Sequence, residues 1–349
     1  MPRLPTPLTL PERKHNTRAG HGHADRDEGI TSGPAPSRIV KRPMPGPWQR
    51  RLRGEQATAW IFVSPSVLIV LGLSVVPVAW SLLLSFRADD LVTPSRWVGL
   101  DNYRALVQDP NFGQAVRNTL LYTALYVPLS IGLGLVLALV LNRRIRLVGL
   151  YRTLIFVPFV ISATAQGVLF SFVLDPEFGV ANSVLHELGV SPQGFLTDPG
   201  QALPVLVAIS LWSGTGFCVV VILAALQDVP PSLTEAARLD GAGRWNLLRH
   251  VVLPALNPVL AFLLLWQTIN ALQVFDLVYV TTKGGPLGST TLIVYFIWEQ
   301  AFKNFTAGYG AAAAYALAVA LLLVFLVPRL VRAARVRARE THGLEGAAR

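Results

Sequence analysis

The chain has 349 residues, of which 52% are apolar and only 14% charged, with a formal net charge of +10. That charged fraction lies well below the quarter or so of a soluble domain, which excludes an ordinary water-facing exterior and makes a bilayer the expected solvent. Cys218 is the single cysteine, which excludes an intrachain disulfide and a cysteine-based metal cluster, and it reads as a small core residue.

Residues 1–55 are polar and rich in Pro, Arg and His. Such a composition buries too little apolar surface to fold, so a disordered basic tail is expected, with no cleavable signal peptide. His15, His21 and His23 in it read as polar filler. Six stretches then supply the roughly 20 apolar residues that a spanning helix needs: about 59–86, 118–142, 153–174, 202–227, 252–275 and 306–328. An all-α membrane domain over residues 56–331 is therefore expected, followed by a second basic tail at 332–349. Pro65 and Pro77 predict a kink in the first span. The segment 87–117 mixes aromatics with turn formers and reads as a short structured region on the membrane or as an ordinary interfacial loop. Gly132 and Gly134 in the second span would admit a close neighbour, and Ser162, Thr164, Gln166 and Gly167 in the third suggest helix packing. Trp60, Trp80, Tyr122 and Tyr151 read as headgroup anchors. The 175–198 loop suggests turns and one short helix. The patch Leu292 to Trp298 is too short to cross and is expected at the interface or against the bundle.

Lys and Arg near span ends stay on the cytoplasmic side. The N-terminal tail holds eleven of them, the 143–152 loop four, the 228–250 loop three and the stretch after residue 328 six, which leaves six of the thirty for the opposite loops. Both termini are thus expected in the cytoplasm. The basic balance follows from this topology and from attraction to anionic membrane lipid, so it does not call for nucleic acid.

The cytoplasmic loop at 228–254 is more structured than a connector needs to be. Pro230 and Pro231 close the fourth span, Ser232 or Thr234 is placed to cap a new helix, and Glu235 is read into its first turn. Gly241 and Gly243 would end that helix and allow a reversal into Leu253-Pro254 and the fifth span. Glu235-Ala236-Ala237, three residues, Gly241, nine residues, Val251, one residue and Leu253-Pro254 form a pattern of fixed spacing. Glu-Ala-Ala alone would mean little, because Glu and Ala are common helix formers.

This pattern resembles the signature loop of permease subunits of bacterial ATP-binding-cassette importers, with Val251 where that family usually has Ile. Val98-Gly99-Leu100-Asp101-Asn102-Tyr103, Val116-Arg117-Asn118-Thr119-Leu120, Phe275 to Pro286 and Gly308-Tyr309-Gly310-Ala311-Ala312 resemble the carbohydrate branch, the maltose and glycerol-phosphate type, and its first permease subunit. The resemblance covers about residues 57–330. It implies the type I importer permease fold in the bacterial inner membrane. It also implies, as partners, a second homologous permease subunit, two ATP-binding cassette subunits and an extracytoplasmic solute-binding protein. Glu235, Ala236, Ala237, Asp240, Gly241, Ala242, Gly243, Leu253 and Pro254 would then dock the ATPase. No GxxxxGK[ST] phosphate loop occurs in the chain, so ATP-Mg would be used by the partners, with no cofactor or metal on this subunit.

A sugar path needs polar groups and aromatic faces at membrane depth. At about 100° per residue, Trp266, Asn270 and Gln273 share an arc of the fifth span, flanked by Gln267 and Asp276. With Ser213 and Phe217 of the fourth span they are candidates to line the path. The same residues would serve equally to tie helices together, and the residues alone leave both readings open. Glycerol-3-phosphate or a polyol is an alternative cargo. An ion-coupled transporter would need intramembrane acids or histidines, which the spans almost entirely lack. An intramembrane serine protease would need a histidine within a span.

Overall fold

The computed structural model describes residues 47–90, 94–143, 146–323 and 326. The chain divides at Pro65 into two units. Among the described residues the first is helical from Pro47, the start of α1 (Pro47–Val70), so helix begins inside the stretch expected to be a tail. The expectations for residues 1–46 and for the C-terminal tail lie outside the described residues.

The second unit, from Ser66, is a bundle of helices. α1 passes through one widened turn, Leu71–Val75, into α2 (Val76–Leu84). There the Val76 N–H donates to the carbonyl of Leu71, five residues back. The register thus shifts just ahead of Pro77, which has no N–H to offer. The segment that follows is structured rather than a plain loop. β1 (Arg87–Ala88) pairs antiparallel with β2 (Arg96–Trp97), and Phe86 stacks on Trp97 at 5.8 Å. In α3 (Asp101–Gln108), the Asn102 amide donates to the carbonyls of Ser85 and Arg87, both at 2.9 Å, and ties off the end of α2.

α4 (Pro110–Leu141) starts earlier than the span expected at 118. Asp109 caps it by accepting the Asn111 N–H at 2.8 Å, and Pro110 fits a first turn that needs no donor. Arg117 therefore lies on the helix, not in a loop. The third span departs most from expectation. It is two helices, α5 (Val148–Val160) and α6 (Ala163–Val173), bent by 97°. α7 (Val180–Glu187) is the short helix expected in the 175–198 loop. α8 (Ala202–Gln227) has the expected limits. α9 (Pro231–Leu239) and α10 (Arg244–Leu247) make the loop, and a second widened stretch, Leu248–Val252, joins α10 to α11 (Leu253–Leu272). α12 (Asp276–Val280) and α13 (Ile293–Trp298) follow, and α13 buries Ile293, Tyr295 and Phe296 against the bundle. The last described helix, α14, runs Ala307–Leu323.

Four stretches are long and apolar enough to cross a membrane: Trp60–Leu84, Pro110–Leu141, Ala202–Gln227 and Arg244–Val280. The bent α5–α6 pair makes a fifth if it is one span. α14 is shorter within the described residues, and the span expected at 306–328 extends past them. The core runs along α4, α8 and α11. A Cβ on Gly134 would lie 2.5 Å from that of Cys218, so α4 and α8 touch backbone to backbone there. Gly132 has nothing within 4 Å of such an atom and faces away.

Candidate translocation cavity and docking loop

A cavity of about 380 Å³ opens between α4, α6, α8 and α11. Its wall carries Trp266, Asn270 and Gln273 in the order their arc predicts, with Ser213 opposite on α8 and Asp276 at the start of α12. α11 stops at Leu272, so Gln273 is its C-cap residue rather than a continuation of the helix. Asn270 donates back to the Trp266 carbonyl at 2.8 Å, an intrahelical bond that leaves its amide oxygen available. Phe217 does not reach the cavity. It stacks on Phe159 at 5.3 Å and contacts Trp266 at 5.7 Å, and so supports the aromatic wall from behind.

Other wall residues carry different roles in the sequence reading. Tyr122, read as a headgroup anchor, is 1% exposed and sits inside the bundle. It donates to Ser210 at 2.6 Å and stacks on Tyr126 at 5.8 Å. Two tyrosines four apart on one helix share a face, and that spacing was the available signal. Gln166 also borders the cavity and holds the α5–α6 break: its amide donates to the carbonyls of Pro158 and Ile161 at 3.2 and 2.7 Å. Ser162 caps α6 by accepting the Ala165 N–H at 3.3 Å. Gln166 and Ser162 therefore stabilise a broken helix rather than merely pack, whereas Gly167 does pack, close against Val280. Gln267 is buried and aims its amide nitrogen at Tyr126, Ser130 and Cys218, at 3.2, 3.2 and 3.1 Å.

The loop at 228–254 is a helical elbow. α9 ends in a Schellman motif: the Ala242 N–H donates to the Ala237 carbonyl at 2.9 Å and the Gly241 N–H to that of Arg238 at 3.0 Å. Gly241 sits at φ +80°, a left-handed conformation that favours glycine. Gly243, at φ −66°, needs no such freedom and begins α10 instead of ending α9. Two further details differ from the sequence reading. The N-cap is Pro230, with no side-chain cap; Thr234 bonds back to the Pro231 carbonyl at 2.8 Å, so neither it nor Ser232 caps. Glu235 lies beyond the first turn. Glu235, Ala236, Asp240 and Gly241 are exposed, Ala237 and Ala242 half-buried, and Leu253-Pro254 opens α11. Leu239 is 89% exposed and Trp245 68%, an apolar display uncovered among the described residues.

A second, polar cavity of about 420 Å³ lies between the start of α4 and the 283–304 segment. Lys303 beside it is held above its ordinary pKa by its hydrogen bond to Glu299 at 2.7 Å. Among the described residues no group of three His, Cys, Asp or Glu is placed to hold a metal.

The bundle thus carries a partly polar cavity beside its core, and its elbow displays apolar side chains outward. The chain belongs to the family of binding-protein-dependent transport system inner membrane components, which matches residues 130–337, and it is a multi-pass permease subunit of an ABC transport system. It is 33% identical over 301 residues to the sulfoquinovosyl glycerol transport system permease protein of Agrobacterium fabrum, covering 84% of this chain and 97% of that one. To the lactose transport system permease protein of Rhizobium radiobacter it is 35% identical over 285 residues, covering 80% and 94%. A chain of a bacterial ABC transporter involved in the import of the acidic polysaccharide alginate shares the fold, with a TM-score of 0.71, 26% identity and coverage of 81% of this chain and 97% of that one.

Proposed function

We propose that this chain is one of two homologous permease subunits that, with two ATPase subunits and an external solute-binding protein, import a neutral sugar. The observation that carries the cargo reading is the cavity wall. Trp266 and Phe275 supply ring faces, Tyr122 and Tyr126 back the wall, Asn270, Gln273 and Ser213 supply hydrogen-bonding groups, and the volume falls in the range of small-ligand pockets. Among the described residues the wall holds one acidic residue, Asp276, and no Lys, Arg or His. An anionic cargo such as glycerol-3-phosphate, an alternative by resemblance, would meet no counter-charge there. The named relatives support a saccharide cargo, and of the three the lactose permease fits a neutral one, whereas the alginate transporter handles an acidic polysaccharide.

The chain crosses the membrane six times with both termini in the cytoplasm, as the distribution of basic residues supports. Residues 1–55, whose end already forms the start of α1, and residues 332–349 lie on the cytoplasmic side. The docking loop, Glu235 to Gly243 with Leu253-Pro254, seats in the ATPase subunits and passes their ATP-driven closure to the bundle. Its exposed Leu239 supports that role.

The experiment is uptake into proteoliposomes holding the full transporter, with lactose or trehalose, a uronic-acid oligosaccharide and glycerol-3-phosphate compared as labelled cargo. Neutral sugar should enter, and Asn270→Ala with Gln273→Ala should raise its KM at least about fivefold without loss of assembly, the loss of roughly 1 kcal/mol expected for hydrogen bonds to a neutral ligand. Uptake confined to the anionic compounds, or an unchanged KM, would overturn the cargo reading.

A further inference from the structure

The elbow and the end of α4 border a groove of about 660 Å³ that shares Arg238 with the docking loop and otherwise lies outside it. Its floor is apolar and includes Leu139 and Leu248, while Arg143, Arg238 and Arg244 stand around it with Trp245. Among the described residues none of these three arginines makes an ion pair: the pairs found there, Arg104 with Asp101 and Lys303 with Glu299, lie elsewhere.

We propose that this groove is a binding site for one anionic phospholipid, its phosphate held by Arg143 and Arg244 and an acyl chain laid along the Leu139 and Leu248 floor. The inference rests on the proposed orientation, which puts the groove at the inner leaflet. Three features favour a lipid over solvated arginines. The guanidinium groups are planar donors suited to phosphate, and they rim an apolar floor rather than an open polar surface. Trp245 is 68% exposed beside them, as an indole at headgroup depth would be. Basic pockets at the cytoplasmic ends of spanning helices match anionic headgroups. Because Arg238 belongs to α9 and Arg143 follows α4, an occupant would brace the docking elbow against the bundle.

The test uses the full chain in nanodiscs, where both faces are accessible, so the result does not depend on orientation. Brominated phosphatidylglycerol should quench the Trp245 fluorescence, identified as the component lost in Trp245→Phe, at a much lower mole fraction than brominated phosphatidylcholine. Arg143→Gln with Arg244→Gln should cut that preference by about 25-fold, at roughly fivefold per arginine near an anionic surface. Equal quenching by the two lipids, or a preference that survives the double variant, would overturn the proposal. So would its loss on adding millimolar glycerol phosphate, which would make the site one for a free phosphate. Orientation is read separately, by an impermeant thiol reagent at Asn246→Cys in cells: labelling from outside would sink the topology and leave the nanodisc result standing.

Discussion

Replacing Gly241 tests the elbow through its backbone alone. A Cβ there would have nothing within 4 Å, so in the chain by itself a substitution adds no clash, and only the φ of +80° resists it. Holding an alanine in that conformation costs about 1–2 kcal/mol, a factor of roughly 5–30 in the population of the formed turn. Asparagine tolerates the left-handed region and should cost less, while a β-branched valine should cost more. Transport per ATP hydrolysed, measured in proteoliposomes, should therefore fall in the order Gly, Asn, Ala, Val, and Gly241→Asp should uncouple hydrolysis from uptake. Wild-type coupling in Gly241→Ala, or an asparagine variant as poor as the valine one, would refute the conformational argument.

Gln166→Leu removes both bonds at the α5–α6 break; the Pro158 carbonyl keeps the Ile161 N–H but the Ile161 carbonyl is left short of a partner, which should cost about 1–3 kcal/mol and lower the melting temperature in detergent. An unchanged melting temperature would show that the bend is held by other contacts. Gly134→Leu drives a side chain into Cys218, and overpacking of about 1–3 kcal/mol should reduce the folded yield, whereas Gly132→Leu should be silent. Asp276→Asn should narrow the discrimination between neutral and anionic cargo in competition uptake, and an unchanged ratio would remove Asp276 from selectivity.

Hydropathy reads composition over a window, and that explains what was legible. α8 lies between Asp198-Pro199-Gly200 and Asp228-Val229-Pro230, so its limits stand out. The α5–α6 break lies within an unbroken apolar run, where a change of direction leaves no trace in hydropathy. Its local signals were Pro158 and the capping Ser162. α4 began early because Asp109-Pro110 outweighs the charge of Arg117 as a boundary. The arc of Trp266, Asn270 and Gln273 was readable from one helix, but the tyrosines opposite belong to another. Which faces meet is a property of the bundle, not of either segment.

Gln267 has two amide hydrogens and three acceptors within reach, on α4 and α8. Any pairing leaves one acceptor idle, and trading one for another keeps the donor satisfied throughout. Three helices are thus joined by a swivel rather than a weld, so they can slide past one another without exposing a bare proton to the hydrocarbon.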